Sequence, residues 1–124
     1  MRFRKLFNYL KIKTYDNYYV HGSEKRLKFV DKDSCGFANT LFNTSSGNIT
    51  VGRNVVFGHN VMILTGYHDY RNNINYVPKD GFDIVIGSNC WICSGVIVCG
   101  GVNIADNSVL KAGTVVYKNN KLKI

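Results

Sequence analysis

The sequence predicts an all-β protein wound as a coil of short parallel strands. Three observations predict it: a six-residue period, small or polar residues at fixed places in that period, and one polar excursion with the frame intact on both sides. Cut from Ile86, the chain reads IGSNCW, ICSGVI, VCGGVN, IADNSV, LKAGTV and VYKNNK. Upstream the same frame gives SSGNIT, VGRNVV, FGHNVM and ILTGYH, then DGFDIV from Asp80. Every block opens on an aliphatic or aromatic residue except those at Ser45 and Asp80. A period of six is neither the 3.6 of a helix nor the alternation of a hairpin strand. It suits a short strand and a turn, repeated as the flat sides of a polygonal coil whose block openers point inward and stack. Three blocks close one triangular coil of 18 residues.

The elements follow in order. Residues 1–26 carry no repeat and are expected to cap the open end of the coil, with LFNYLKI as a short helix or strand; solenoids need such ends covered. The coil itself is expected over about residues 33–121, with DSCGFA and NTLFNT as imperfect first blocks. Gly52, Gly58 and Gly87 stand second in their blocks, where the chain is expected to turn tightly. Cys93 and Cys99 occupy the same second position and Cys90 the small fifth one, so all three read as stand-ins for Gly, Ala or Val. Cys90 and Cys93 have CxxC spacing, but no second pair or nearby histidine completes a zinc set, and no metal is expected.

The frame runs through His68, breaks from Asp69 to Lys79 and resumes at Asp80. That polar stretch contains the only proline, Pro78, and reads as an extruded loop over about residues 69–79. Counting blocks across it places those that start at 63, 92 and 110 on one face. Thr65, Ser94 and Ala112 would then form a column with His68 at its far corner, Ala112 lying about 10 Å along the axis from the level of His68.

Composition narrows the function. A chain of 124 residues is one domain, and 45% apolar with only 19% charged argues against disorder. No apolar run approaches a membrane span. The N-terminus MRFRKLFNYLKIKTY keeps its charges and offers no small-residue cleavage site, so a cytoplasmic protein is expected. The net charge of +8 suits nucleic acid, a membrane surface or an anionic small molecule. The lysines are scattered, and no helix-turn-helix, zinc finger or aromatic-basic RNA motif is visible, so no nucleic-acid partner is expected.

The blocks VGRNVVFGHNVM and IGSNCWICSGVIVCGGVN resemble the left-handed parallel β-helix of hexapeptide-repeat proteins, whose hand is an exception to the usual crossover rule. TGYHDY, a loop, and then IGSNCWICSGVIVCGGVNIADNSVLKAGTVVYKN are similar to the sugar acetyltransferases of that superfamily, the maltose/galactoside and colanic-acid group. The resemblance covers about residues 37–119. It implies a homotrimer, acetyl-CoA in the groove between neighbouring subunits, and a histidine before the loop as general base, here His68, with Asp69 beside it to orient the imidazole. It further implies that Ser94 and Gly95, Ala112 and Gly113, and Tyr117 and Lys118 contact coenzyme A. The acceptor would be a hydroxyl or amino group of a sugar, with a nucleotide-linked amino sugar or a surface-polysaccharide precursor as candidates. The family's acceptor positions fall near Ala38 and Ser46, so Asn39, Asn43 and Ser46 are polar candidates, joined by Tyr70 and Tyr76 in the loop as stacking residues. The family's usual proline-rich segment after the repeat has no counterpart in NNKLKI.

The chemistry stands on its own terms. Acetyl transfer from a thioester needs an acceptor brought against the carbonyl and relieved of its proton, which an imidazole titrating near neutrality can do. Backbone N–H groups can meet the developing oxyanion. Two other readings share the fold. A non-catalytic hexapeptide scaffold would have no use for His68, and a γ-carbonic-anhydrase-like protein would hold a metal by three histidines. Only His21, His59 and His68 exist, without a close pair.

Overall fold

A computed structural model describes residues 17–66 and 82–118. Among these residues every regular element is a strand or a single 3-10 turn, and every strand pairing is parallel. The strands are β1 (Tyr18–His21), β2 (Leu27–Phe29), β3 (Gly36–Ala38), β4 (Thr40–Asn43), β5 (Ile49–Val51), β6 (Val56–His59) and β7 (Met62–Leu64). After the excursion come β8 (Ile84–Ile86), β9 (Trp91–Ile92), β10 (Ile97–Cys99), β11 (Asn103–Ile104), β12 (Val109–Leu110) and β13 (Val115–Val116). Each successive strand joins the next of three sheets, ordered β1-β4-β7-β10-β13, β2-β5-β8-β11 and β3-β6-β9-β12. That is the three-sided parallel β-helix the period predicts, and we call the sides A, B and C in that order.

Block openers do face inward. On side A, Val20, Phe42, Ile63, Val98 and Val116 stack; on side B, Phe29, Val51, Ile86 and Ile104; on side C, Phe57, Ile92 and Leu110. Phe42, Val51, Ile63 and Val98 are wholly buried. Each such side chain contributes about 1.5–3 kcal/mol when removed from water. Ser45 breaks the opener rule because Phe42 is the true opener of its side, and Thr44 to Ser46 belong to a widened corner between β4 and β5. The first coil begins upstream of residue 33, since β1 and β2 already pair with β4 and β5. Its interior is filled by the rings of Tyr18, Phe29 and Phe37 packed over Phe42 and Phe57, with centroids 4.9–6.1 Å apart. Residues 1–16, the rest of the expected cap, lie outside the described residues, as do the excursion residues 69–79 and the tail from 119.

The register across the excursion differs from the counted one. Ile63 pairs with Val98, not with Ile92, and Phe57 pairs with Ile92. Equivalent residues are thus 35 apart across this coil, against 18 in the next, so the excursion inserts 17 residues. The block DGFDIV therefore does not form a side of its own: β8, at its end, is the side B strand that follows β7 directly. The column of Thr65, Ser94 and Ala112 is corrected accordingly. Thr65 stands at the A-to-B corner above Gly100, whereas Ser94 stacks beneath Gly58 at the C-to-A corner.

Turning and close packing are also divided differently from the expectation. Gly52, Gly58 and Gly87 are not in the left-handed region; that conformation is taken by Asn39, Asn54, Asn60, Asn89 and Asn107, with φ of 54–65°, and by Gly22, Gly95, Gly101 and Gly113. Asparagine tolerates that conformation better than other side chains. The first three glycines are needed for approach between coils. A Cβ at Gly58 would lie 2.5 Å from the Ser94 nitrogen, and one at Gly52 2.7 Å from that of Ser88.

Candidate functional site

Two corners of the prism carry the predicted residues. At the C-to-A corner, β6 ends at His59, and Ser94 and Ala112 follow β9 and β12. The Ser94 hydroxyl accepts from the His59 N–H (3.0 Å), which fixes the serine against the coil above. Gly95 N–H donates to the His59 carbonyl (2.8 Å), and Gly113 N–H to the Ser94 carbonyl (2.9 Å). Gly95 and Gly113 both have positive φ, 73° and 78°, and a Cβ at Gly113 would meet nothing within 4 Å. Ser94, Gly95, Ala112 and Gly113 therefore form an exposed strip of small residues with open space beside it. Tyr117 and Lys118 do not join this strip: they follow β13 and stand at the A-to-B corner, in register with Cys99 and Gly100. His59, third in its block, is exposed at the top of this strip.

The A-to-B corner is polar and more closely tied. Thr65, wholly buried, donates its hydroxyl to the Asn43 carbonyl (2.8 Å) and accepts from the Ser46 N–H (3.1 Å). The Asn43 side chain accepts from the Ser45 N–H (2.9 Å). Gly66 packs on the Ser46 side chain, whose oxygen would be 2.5 Å from a Cβ there. Asn43 and Ser46 thus flank the point where the chain leaves toward His68. Asn39 does not join them: it turns the chain at the C-to-A corner and its amide donates to the Asn60 side chain. His68, Asp69, Tyr70 and Tyr76 lie outside the described residues.

The three outer surfaces differ. Side A presents Tyr19, Leu41, Met62, Ile97 and Val115 in one apolar register row, with His21, Asn43, Leu64 and Cys99 in the next. Side C presents Val56, Trp91 and Val109, each at least half exposed, with Trp91 at 63%. Side B presents Lys28, Thr50, Val85 and Asn103. Two adjacent sides are apolar and the third is polar. The four cysteines are free thiols; Cys90 points into the core, and burial raises the Cys99 pKa above its usual 9.0. Among the described residues no group of three or more His, Cys, Asp or Glu is placed to hold a metal ion, and no helix is long and apolar enough to cross a membrane.

The fold, with its 18-residue coils and small-residue corners, defines a hexapeptide-repeat β-helix. Residues 83–118 match the family model described as bacterial transferase hexapeptide (six repeats). By this match and by its fold the chain resembles the hexapeptide-repeat superfamily, and within it the sugar acetyltransferases. It is 41% identical over 75 residues to the galactoside O-acetyltransferase of Escherichia coli, covering 57% of this chain and 36% of the relative. It is 34% identical over 107 residues to that of Lactococcus lactis, covering 82% and 49%. An Escherichia coli acetyltransferase named for colanic acid biosynthesis is 37% identical over 76 residues, covering 59% and 39%. The chain spans less than half the length of each of these relatives. No solved structure matches.

Sequence reasoning missed the apolar exteriors of sides A and C. The signal was present: the residue before each opener is apolar in NVMIL, GVIVC and GTVVY of side A, and in SNCWI and NSVLK of side C.

Proposed function

We propose that the protein transfers an acetyl group from acetyl-CoA to a hydroxyl or amino group of a sugar, with His68 as general base and Asp69 orienting it. The observation that carries this reading is the strip of Ser94, Gly95, Ala112 and Gly113, narrow, exposed and free of bulky side chains, on a chain similar to sugar acetyltransferases. A pantetheine arm is slim and carries amides, and such a strip offers backbone groups at close range. Tyr117 and Lys118, at the A-to-B corner of the last coil, suit the coenzyme's adenine and phosphate portion where it passes between copies. When bound, acetyl-CoA supplies the thioester; His68 takes the acceptor's proton as the acceptor attacks, and a backbone N–H of the strip meets the oxyanion. Asn43 and Ser46 hold the acceptor beside the loop root, with Tyr70 and Tyr76 stacking on its ring. Candidate acceptors are nucleotide-linked amino sugars and precursors of surface polysaccharides.

The site is shared between copies in this reading, and the active form is a homotrimer. The strip and the loop root stand at opposite edges of side A, about 13 Å apart from Val61 to Thr65 at the rise of an extended strand. A closed ring of three copies packs one patch against a different patch of the neighbour. With apolar side A of each copy turned toward the threefold axis, the strip edge of one copy meets the loop-root edge of the next, and apolar side C borders that contact. The protein acts in the cytoplasm, where acetyl-CoA is supplied.

The test is thiol release from acetyl-CoA across hydroxyl and amino sugars, free and nucleotide-linked. Acceptor-dependent release that falls at least 100-fold in His68→Ala, on the scale of a lost general base, is expected. No release with any acceptor from a folded trimer contradicts it.

A further inference from the structure

The deepest backbone contact in the described residues lies at the root of the excursion. Gly100, buried after β10, sits directly below Thr65. A Cβ built on Gly100 would come within 2.0 Å of the Thr65 carbonyl oxygen and 2.8 Å of the Phe82 ring, closer than at any other glycine described. Phe82, 3% exposed, is the first described residue after the excursion, and Thr65 is three residues before His68. The missing side chain at Gly100 leaves room for the outgoing carbonyl and the returning ring together. Each end of the root is tied by hydrogen bonds to an adjacent coil. Thr65 N–H donates to the Asn43 carbonyl (3.0 Å), the Asp83 carboxylate accepts from the Asn48 N–H (2.8 Å), and Gly101 N–H donates to the Asp83 carbonyl (3.1 Å).

We propose that Gly100 is a positioning residue for the reaction: by admitting the Thr65 carbonyl and the Phe82 ring to one corner, it sets the direction in which the chain leaves side A toward His68. The inference rests on the reading of His68 as the base. Gly100 touches neither substrate nor coenzyme. It acts through the chain between Thr65 and His68, three residues on in the sequence. Misplacement on the scale of 1 Å costs on the order of 100-fold in rate.

Gly100→Ala tests it beside two glycine controls. A Cβ at Gly36 meets nothing within 4 Å, so Gly36→Ala is expected to be neutral. A Cβ at Gly52 lies 2.6 Å from the Ser88 hydroxyl at the B-to-C corner, so Gly52→Ala carries packing damage remote from the excursion. Gly100→Ala is expected to lower kcat at least 10-fold with KM for acetyl-CoA within about twofold, while Gly52→Ala loses thermal stability but keeps kcat. Should Gly100→Ala not fold, Phe82→Leu empties the same corner without a clash and is expected to lower kcat in the same direction. The imidazole ¹H–¹⁵N signal of His68, assigned by its loss in His68→Gln, is expected to move in Gly100→Ala while that of His59 stays. That readout holds whether or not the wild type turns over acetyl-CoA, so failure of the acetyltransferase reading shows as an inactive wild type with the signal still displaced. A folded Gly100→Ala, or failing that Phe82→Leu, with wild-type kcat and an unmoved His68 signal overturns the proposal.

Discussion

Asn54 shows how one residue serves the coil. Its φ of 54° is a conformation that costs most side chains about 1–2 kcal/mol, and its amide donates to Asn89 one coil below (3.1 Å). Asn54→Ala is expected to lower stability by about 1–2 kcal/mol, and Asn54→Gly by less, in urea titrations of both variants. Thr40 is the opposite case. Its hydroxyl is buried and finds no partner among the described residues, so it contributes a desolvation cost without a bond. Thr40→Val is expected to raise stability by about 1 kcal/mol, read by the same titration. These asparagines and threonines were visible as letters but not as roles. Left-handed φ and a buried hydroxyl depend on which residues the coil stacks, and the repeat alone places glycine and asparagine both near its turns.

At the scale of elements, the aromatic first coil is the part that the period described worst. Blocks before residue 45 are irregular because the corner between β4 and β5 is widened and the interior is filled by rings instead of aliphatic openers. Phe42, wholly buried, packs edge-on against Phe29 and Phe57, with centroids 5.9 and 5.5 Å away. Phe42→Ala is expected to cost about 3–5 kcal/mol, seen as a lower unfolding midpoint with the later coils losing cooperativity with the first. From Val51 to Val116 the inward stack was legible residue by residue, since an opener must be apolar at every turn. The excursion hid its own length. Asp80 to Val85 fit the six-residue frame by chance, and only strand pairing shows that they follow β7 without an intervening side.

For the whole molecule, side A and side C explain what one copy leaves unfinished. A row from Tyr19 to Val115 and a second from Val56 to Val109 stand uncovered on neighbouring faces, whereas the outward row of side B is Lys28, Thr50, Val85 and Asn103. Met62→Glu on side A or Trp91→Glu on side C is expected to shift the proposed trimer to monomer in light scattering and to abolish thiol release, because each would place a charge in the proposed apolar contact. Which corners meet across copies was not legible in the chain: the repeat specifies what stacks within one coil, and contact between copies depends on the outward rows and on the register that the excursion disguised. The central claim, that His68 of one copy acts on acetyl-CoA held along the strip of another, is tested most directly by mixing two inactive variants. His68→Ala removes the base, and Ala112→Trp fills the strip. Neither alone should release thiol. Unfolded and refolded together, they are expected to recover activity, up to about a quarter of the wild-type rate per site for random halves, because some sites unite an intact histidine with an intact strip. Mixed trimers that form and stay inactive would contradict it, since each site would then draw its histidine and its strip from the same chain.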